Sequence, residues 1–237
     1  SMKKLAFWSP WIQKWRTTWS KDITTPKNRF CAYFDMVIFD HGYTRYLYPN
    51  SAWISDQVFR QNHPPPLMVK KAADQGIRTI VNFRGINEFG SNLLSAESCE
   101  KYGINLVYFR ALSRAAPKKE MLHEAVKLFD SLEYPALFHC KSGADRAGLM
   151  SALYLLIHLK RPVEEAQKEL SWKFGHFRSA KTGILDYFLD SYAASHRRTG
   201  IEFMDWVDLE YDPEELTRNF RTKSGSSFIV DRILRRE

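Results

Sequence analysis

The sequence predicts an α/β domain with a mainly parallel central sheet flanked by helices, and with helical extensions at the N- and C-terminal ends. Short β-branched or apolar runs at Ile77–Phe83, Ile104–Phe109 and Ala136–Cys140 alternate with stretches of helical periodicity. The links between them are short, and this alternation is the pattern that right-handed β–α–β crossovers leave in a sequence.

From the N-terminus, Ser1-Met2 reads as an expression remnant. Ser9-Pro10 reads as an N-cap and first helical position, after which Trp11, Trp15 and Trp19 recur beside Ile12 as one face of a short helix. Its polar side carries Lys14, Arg16 and Lys21, and Trp8 can fold back as a staple. Phe34–Phe39 and Trp53-Ile54 read as short strands between turn residues. Pro64-Pro65-Pro66 leads into a helix near Leu67–Asp74, closed by Gly76 ahead of the strand Ile77–Phe83. A helix over Ser91–Tyr102, closed by Gly103, precedes the strand Ile104–Phe109. Lys118–Leu132 is amphipathic, with Met121, Leu122, Ala125, Leu128, Phe129 and Leu132 at helical spacing. After Ala136–Cys140 an apolar helix begins near Arg146. Pro162 opens another that ends at Gly175, Ile184–Ser195 is a further helix, and Asp212-Pro213 starts the last.

Three segments follow: a basic aromatic helical lead over 1–30, a domain over 31–200 and an extension over 201–237. The chain has 237 residues and a formal charge of +8, but the excess is uneven. Residues 1–30 carry +6, the body to residue 213 is neutral, and the remainder carries +2. A neutral body does not read as a nucleic-acid platform, so no nucleic-acid partner is expected. Cys31, Cys99 and Cys140 are an odd number without metal-ligand spacing, which points to free thiols in a reducing compartment and to no metal or other cofactor. The longest apolar run, about Ala147–Leu159, falls short of the roughly 20 residues a bilayer crossing needs, so a soluble cytoplasmic protein is expected.

The chemistry concentrates in His139-Cys140-Lys141-Ser142-Gly143-Ala144-Asp145-Arg146-Ala147-Gly148. A loop that leaves the carboxyl end of a parallel strand and enters a helix points free backbone N–H groups at an anion. The same field favours the thiolate of Cys140 and makes it a nucleophile. Arg146 can offer a bidentate fork to phosphate oxygens, and Gly143 permits the tight backbone a loop around a tetrahedral dianion demands.

Read together, these residues resemble the Cys-x5-Arg signature of the protein tyrosine phosphatase superfamily in its dual-specificity-like branch. The Asn82-Phe83-Arg84-Gly85 turn adds a resemblance to bacterial members. The resemblance spans about residues 35–195 as an order of elements. It implies that Cys140 attacks phosphorus to form a phosphocysteine and that Arg146 and the loop from Lys141, Ser142, Gly143 and Ala144 through Asp145 hold the phosphate. Water then hydrolyses the intermediate without a metal.

Two positions depart from the family pattern. The stretch Tyr108–Pro117, where the family places an acidic proton donor, contains no carboxylate, and Ala147 stands where Ser or Thr usually follows the arginine. Asp145 is the substitute candidate for the general acid, since a neighbouring phosphate favours its protonated form; its other reading is a helix cap. Lys141 is either a substrate contact or a solvated side chain, and His139 reads as a buttress of the loop. Arg84, Arg110 and Arg114 are candidate substrate contacts, with ion pairing or plain solvation as their other reading.

The expected substrate is a phosphorylated protein or a phospholipid. The Trp8, Trp11, Trp15 and Trp19 stripe either packs on the body or makes peripheral contact with an anionic membrane at the inner face. The rival to an enzyme is a phosphate-binding pseudophosphatase that uses the same loop without turnover.

Overall fold

Five strands form one sheet in the order β1-β2-β5-β3-β4 in the computed structural model, which describes residues 10–234, with side chains described through Lys223. The strands are β1 (Ala52–Trp53), β2 (Val58–Gln61), β3 (Thr79–Asn82), β4 (Asn105–Tyr108) and β5 (Ala136–His139). β1 runs antiparallel to β2, and the other neighbours are parallel. β3 and β5 are buried at every position, as inner strands of a parallel sheet are. The register sets His139 at the carboxyl end of β5 between Gln61 of β2 and Asn82 of β3. That end of a parallel sheet is where ligands bind in open α/β folds, so the predicted fold class stands.

The chain divides into two compact units. One comprises the residues up to Arg110 and Glu133–Ser142, and the other comprises Ala111–Leu132 and the chain from Gly143 onward.

The sheet belongs to the first unit, with helix α1 (residues 10–16), α2 (Pro26–Phe34), α3 (Gly42–Leu47), α4 (Pro66–Asp74) and α5 (Gly90–Lys101). Val69, Ala72, Ile77, Ile80, Cys99, Ile104 and Leu137 form a core that joins α4 and α5 to β3 and β5. Helices α4 and α5 match their sequence signals, as do strands β3, β4 and β5. β2 has no such signal, because Val58–Gln61 is a four-residue buried run containing Arg60 and shows no alternation.

Phe34–Phe39 is not a strand. Thr25 caps α2 through its hydroxyl, Pro26 takes the first helical position, and the helix runs on as a π-helical turn over Asp35–Phe39. A short aromatic and β-branched run fits either period, and the long-range contacts of Asp35 decide between them. Fully buried, Asp35 accepts from Arg16 Nε at 2.8 Å and from the Gly90 backbone N–H at 2.7 Å, so one carboxylate pairs with Arg16 of the lead and caps α5. Gly90 is required there, because a Cβ on it would sit 2.0 Å from the Ala32 carbonyl oxygen.

The tryptophan stripe also ends early. After residue 16 the hydroxyls of Thr17 and Thr18 turn back onto the carbonyls of Lys14 and Trp15, each at 2.7 Å, and compete with the helix. Trp19 therefore lies beyond α1. It is buried with Ile23, Ala32, Met36 and Leu94, and Trp15 packs on Phe34 and Phe39 with ring centroids 5.5 and 5.0 Å away. Packing is thus the reading that fits the buried Trp19 and the partly buried Trp15. Trp11 is half exposed against the ring of Phe39, and Trp8 lies outside the described residues.

The second unit is helical, with α6 (Lys119–Ser131), α7 (Asp145–Leu153) running into a π-helical turn over Tyr154–His158, α8 (Val163–Gln167), α9 (Ile184–Thr199), α10 (Phe203–Leu209) and α11 (Pro213–Leu234). Its core is aromatic: Phe188 and Trp206 both pack on Tyr211, whose hydroxyl donates to the Pro117 carbonyl at 2.7 Å. The helix expected from Pro162 to Gly175 is shorter than its signal. α8 stops at Gln167, and a 3₁₀ turn over Trp172–Phe174 leads to Gly175 in the left-handed region. No helix among the described residues is long and apolar enough to cross a membrane.

Candidate active site

The first half of the predicted loop belongs to the first unit. β5 delivers His139, which is fully buried, stacks on His63 with centroids 4.4 Å apart, and has its Nδ1 3.2 Å from the Cys140 carbonyl oxygen. The backbone after Cys140 is held by donors from other segments. His63 N–H donates to the Lys141 carbonyl at 3.2 Å, and Asn50 Nδ2 donates to the Ser142 carbonyl at 2.8 Å. These bonds fix the two carbonyls and with them the backbone that follows Cys140. Cys140 itself is buried at 1% exposure, unlike the exposed Ser142.

Beneath this half lies a buried ion network that sequence reading did not find. Asp40, 2% exposed, accepts a bidentate pair from Arg84 at 2.7 and 3.0 Å, and also receives Arg45 at 3.0 Å and the Ser91 hydroxyl at 2.5 Å. Lys141 Nζ stands 3.2 Å from the other carboxylate oxygen. Burial alone would push the Asp40 carboxyl up, but the Arg84 hydrogen bonds and the charges of Arg84, Arg45 and Lys141 hold it well below the usual carboxylate range. Arg84 also donates to His63 Nδ1 at 2.9 Å. His63 is kept neutral by burial and by the neighbouring His139, Arg84 and Arg45, so its Nδ1 is an acceptor.

Two expectations change accordingly. The Arg84 side chain is 6% exposed and forked onto Asp40, so it is an internal strut rather than a substrate contact. Lys141 is 43% exposed and partly committed to Asp40, so it is neither a plain solvated lysine nor a free cation. Arg110, in the first unit, and Arg114, in the second, are both exposed.

The second half of the loop opens the second unit. Gly143 has φ of 79°, the left-handed region that only glycine enters cheaply, and Ala144 is the N-cap of α7, its carbonyl accepting from Gly148 N–H at 3.1 Å. Asp145 and Arg146 are thus the first two helical residues, at the positive end of the helix dipole. Asp145 does not cap the helix. Its Oδ1 lies 2.7 Å from His176 Nδ1, and the other ring nitrogen of His176, Nε2, lies 2.6 Å from Asp186 Oδ2 on α9.

With a carboxylate on each nitrogen the ring carries both protons. Burial pulls the His176 imidazolium down, but the hydrogen bonds and charges of Asp145 and Asp186 outweigh it and push it up to about 9. His176 and Asp186 carry no motif in the sequence, because the contact spans 31 residues from Asp145 to His176 and 10 more to Asp186. Cys99 is an inert core thiol, pushed up to about 12 by burial.

The tyrosine phosphatase family model matches residues 54–159. No curated protein matches the chain. The structure is similar to that of P. aeruginosa TpbA, with 17% identity over 62% of this chain and 91% of that one and a TM-score of 0.47. It is similar to a putative phosphatase from Shewanella putrefaciens CN-32, with 15% identity over 62% and 90% of the two chains and a TM-score of 0.49. A third is the core catalytic domain of the PP-IP phosphatase SIW14 from S. cerevisiae, with 14% identity over 65% and 96% and a TM-score of 0.47. The family match spans β2, β3, β4, β5 and the whole Cys140–Arg146 loop, and over these residues the chain is similar to the tyrosine phosphatase family, which supports a phosphatase.

Proposed function

We propose that the chain hydrolyses phosphomonoesters through a phosphocysteine on Cys140. The observation that carries this reading is the loop between β5 and α7. A buried cysteine directly follows the central parallel strand, Gly143 turns the chain at φ of 79°, and Arg146 follows in the first turn of a helix.

In the first half-reaction the Cys140 thiolate attacks phosphorus in line. The P–S bond forms as the ester P–O bond breaks, while Arg146 and the amides of residues 141–146 stabilise the equatorial oxygens. Asp145 donates a proton to the leaving oxygen. Water then attacks phosphorus, gives its proton to Asp145, and the Cys140 thiolate leaves with the electron pair of the P–S bond. The protein works in the cytoplasm on a phosphorylated protein or a phospholipid. Lys141 and Arg84 are both drawn to Asp40, so the cations left beside Cys140 suit one phosphate better than a cluster of them.

The test is release of phosphate from p-nitrophenyl phosphate. Vanadate-sensitive release that Cys140→Ser lowers by roughly 1,000-fold or more supports the reading. Phosphopeptide binding without release supports the pseudophosphatase alternative that Ala147 and the missing loop carboxylate motivate.

A further inference from the structure

The Asp145–His176–Asp186 chain lies wholly within the second unit and is more elaborate than a structural ion pair needs to be. The His176 side chain is 1% exposed and Asp186 5%, whereas Asp145, at the loop, is 26% exposed. The backbone that carries His176 is fixed: its N–H donates to the Ser171 carbonyl at 3.1 Å, and Gly175 N–H donates to the Trp172 carbonyl at 2.9 Å. Gly175 sits against the phosphate-loop residue Ala144, since a Cβ on it would come 4.0 Å from Ala144 Cβ. His176 and Asp186 line a cavity of about 580 Å³, with Leu170, Trp172 and Phe177 among its walls. The charged groups around the ring are therefore Asp145 from α7, Asp186 from α9, and Arg178. Arg178 lies 3.7 Å from Asp186 and 2.5 Å from Asp190. Arg178 offsets Asp186, which leaves the ring's second proton to Asp145.

We propose that His176 is a positioning residue that locks the Asp145 carboxyl and feeds it, through Nδ1, the proton that Asp145 delivers to the leaving oxygen. This inference rests on the reading of Asp145 as the general acid. As the P–O bond breaks, the Nδ1–H proton passes from His176 to the Asp145 carboxylate and on to the leaving oxygen, so that Asp145 is again ionised. The ring is left neutral with Nε2–H still donated to Asp186. In the second half-reaction the hydrolytic water returns its proton to Asp145 and thence to His176, so no outside donor or acceptor is needed. The loop thereby has an acid without the aspartate that the stretch Tyr108–Pro117 lacks.

The test compares two esters of nearly the same shape, p-nitrophenyl phosphate with a good leaving group and phenyl phosphate with a poor one. General-acid assistance contributes on the order of 100-fold or more, and it is needed chiefly by the poor leaving group. His176→Gln is expected to lower kcat on phenyl phosphate by about 100-fold, and on p-nitrophenyl phosphate by less than about fivefold. Asp145→Asn is expected to show the same selectivity, and the double variant no greater selectivity than Asp145→Asn alone, as befits a residue that acts through another. Wild-type kcat on phenyl phosphate falls on a basic limb near pH 9, the range to which His176 is pushed, and the limb disappears in His176→Gln.

Equal losses on both esters in His176→Gln, with Asp145→Asn still selective, overturn the inference and leave the acid reading intact. Absence of selectivity in Asp145→Asn overturns both. Should His176→Gln fail to fold, Asp186→Asn and nitrogen NMR of the wild-type ring decide: a ring doubly protonated at pH 7.5 supports the inference, and a neutral one overturns it.

Discussion

At the scale of single residues, charge in this molecule is assigned by burial rather than by count. Arg84, Arg45 and Lys141 converge on one carboxylate, Asp40, and three of these four side chains are nearly inaccessible. Removing that carboxylate strands buried guanidinium groups. Asp40→Ala is expected to destabilise the fold by about 3 kcal/mol, measured by urea unfolding. Lys141→Met is milder, because the lysine is 43% exposed and Asp40 keeps both arginines. It should leave the unfolding midpoint within about 1 kcal/mol of wild type. A loss of the Lys141→Met protein's stability as large as that of Asp40→Ala would show that the lysine, not the arginines, is the main partner. Cys140, Gly143 and Arg146 are legible in the sequence because their spacing is local. Asp40 and His176 are not, because each acts on the loop from far along the chain.

At the scale of elements, α4, α5, β3, β4 and β5 are found where the sequence predicts them, whereas the Phe34–Phe39 run and the Pro162–Gly175 stretch are not what it predicts. β2 and the Phe34–Phe39 run are each too short for periodicity to decide, so tertiary contacts decide instead. Asp35 is the instructive case. Within an apolar run it argues against a buried strand, yet it is buried because Arg16 and the Gly90 N–H meet it. Asp35→Asn keeps the hydrogen-bonding shape but leaves the Arg16 charge uncompensated. It is expected to cost about 3 kcal/mol, with the loss concentrated in exchange protection at the start of α5.

The N-terminal lead belongs to the same account. Trp19→Ala empties a place in the cluster of Ile23, Ala32, Met36 and Leu94, and should lower the thermal midpoint by roughly 10 °C. An unchanged midpoint together with lost liposome binding would return the tryptophans to a membrane role.

For the whole molecule, the net charge of +8 says less than its distribution. Part of the basic excess of the lead is internal, since Arg16 neutralises Asp35. Stability also follows the titration of His176, raised in the folded state from 6.5 to about 9. Between those values the folded protein holds a proton that the unfolded chain has released. The stabilisation is therefore complete below about pH 6.5 and is lost as the pH rises through about 9. Urea midpoints measured from pH 6 to pH 8 should fall in the wild type and stay nearly flat in His176→Gln.

The central claim, however, is chemical: a phosphoryl group passes through Cys140. Acid quench of the enzyme during turnover of p-nitrophenyl phosphate, followed by peptide mass spectrometry, tests it most directly. One phosphoryl group is expected on the peptide that contains Cys140, and none in Cys140→Ser. Phosphate release at an undiminished rate by Cys140→Ser, or turnover that leaves every cysteine unmodified, would contradict it.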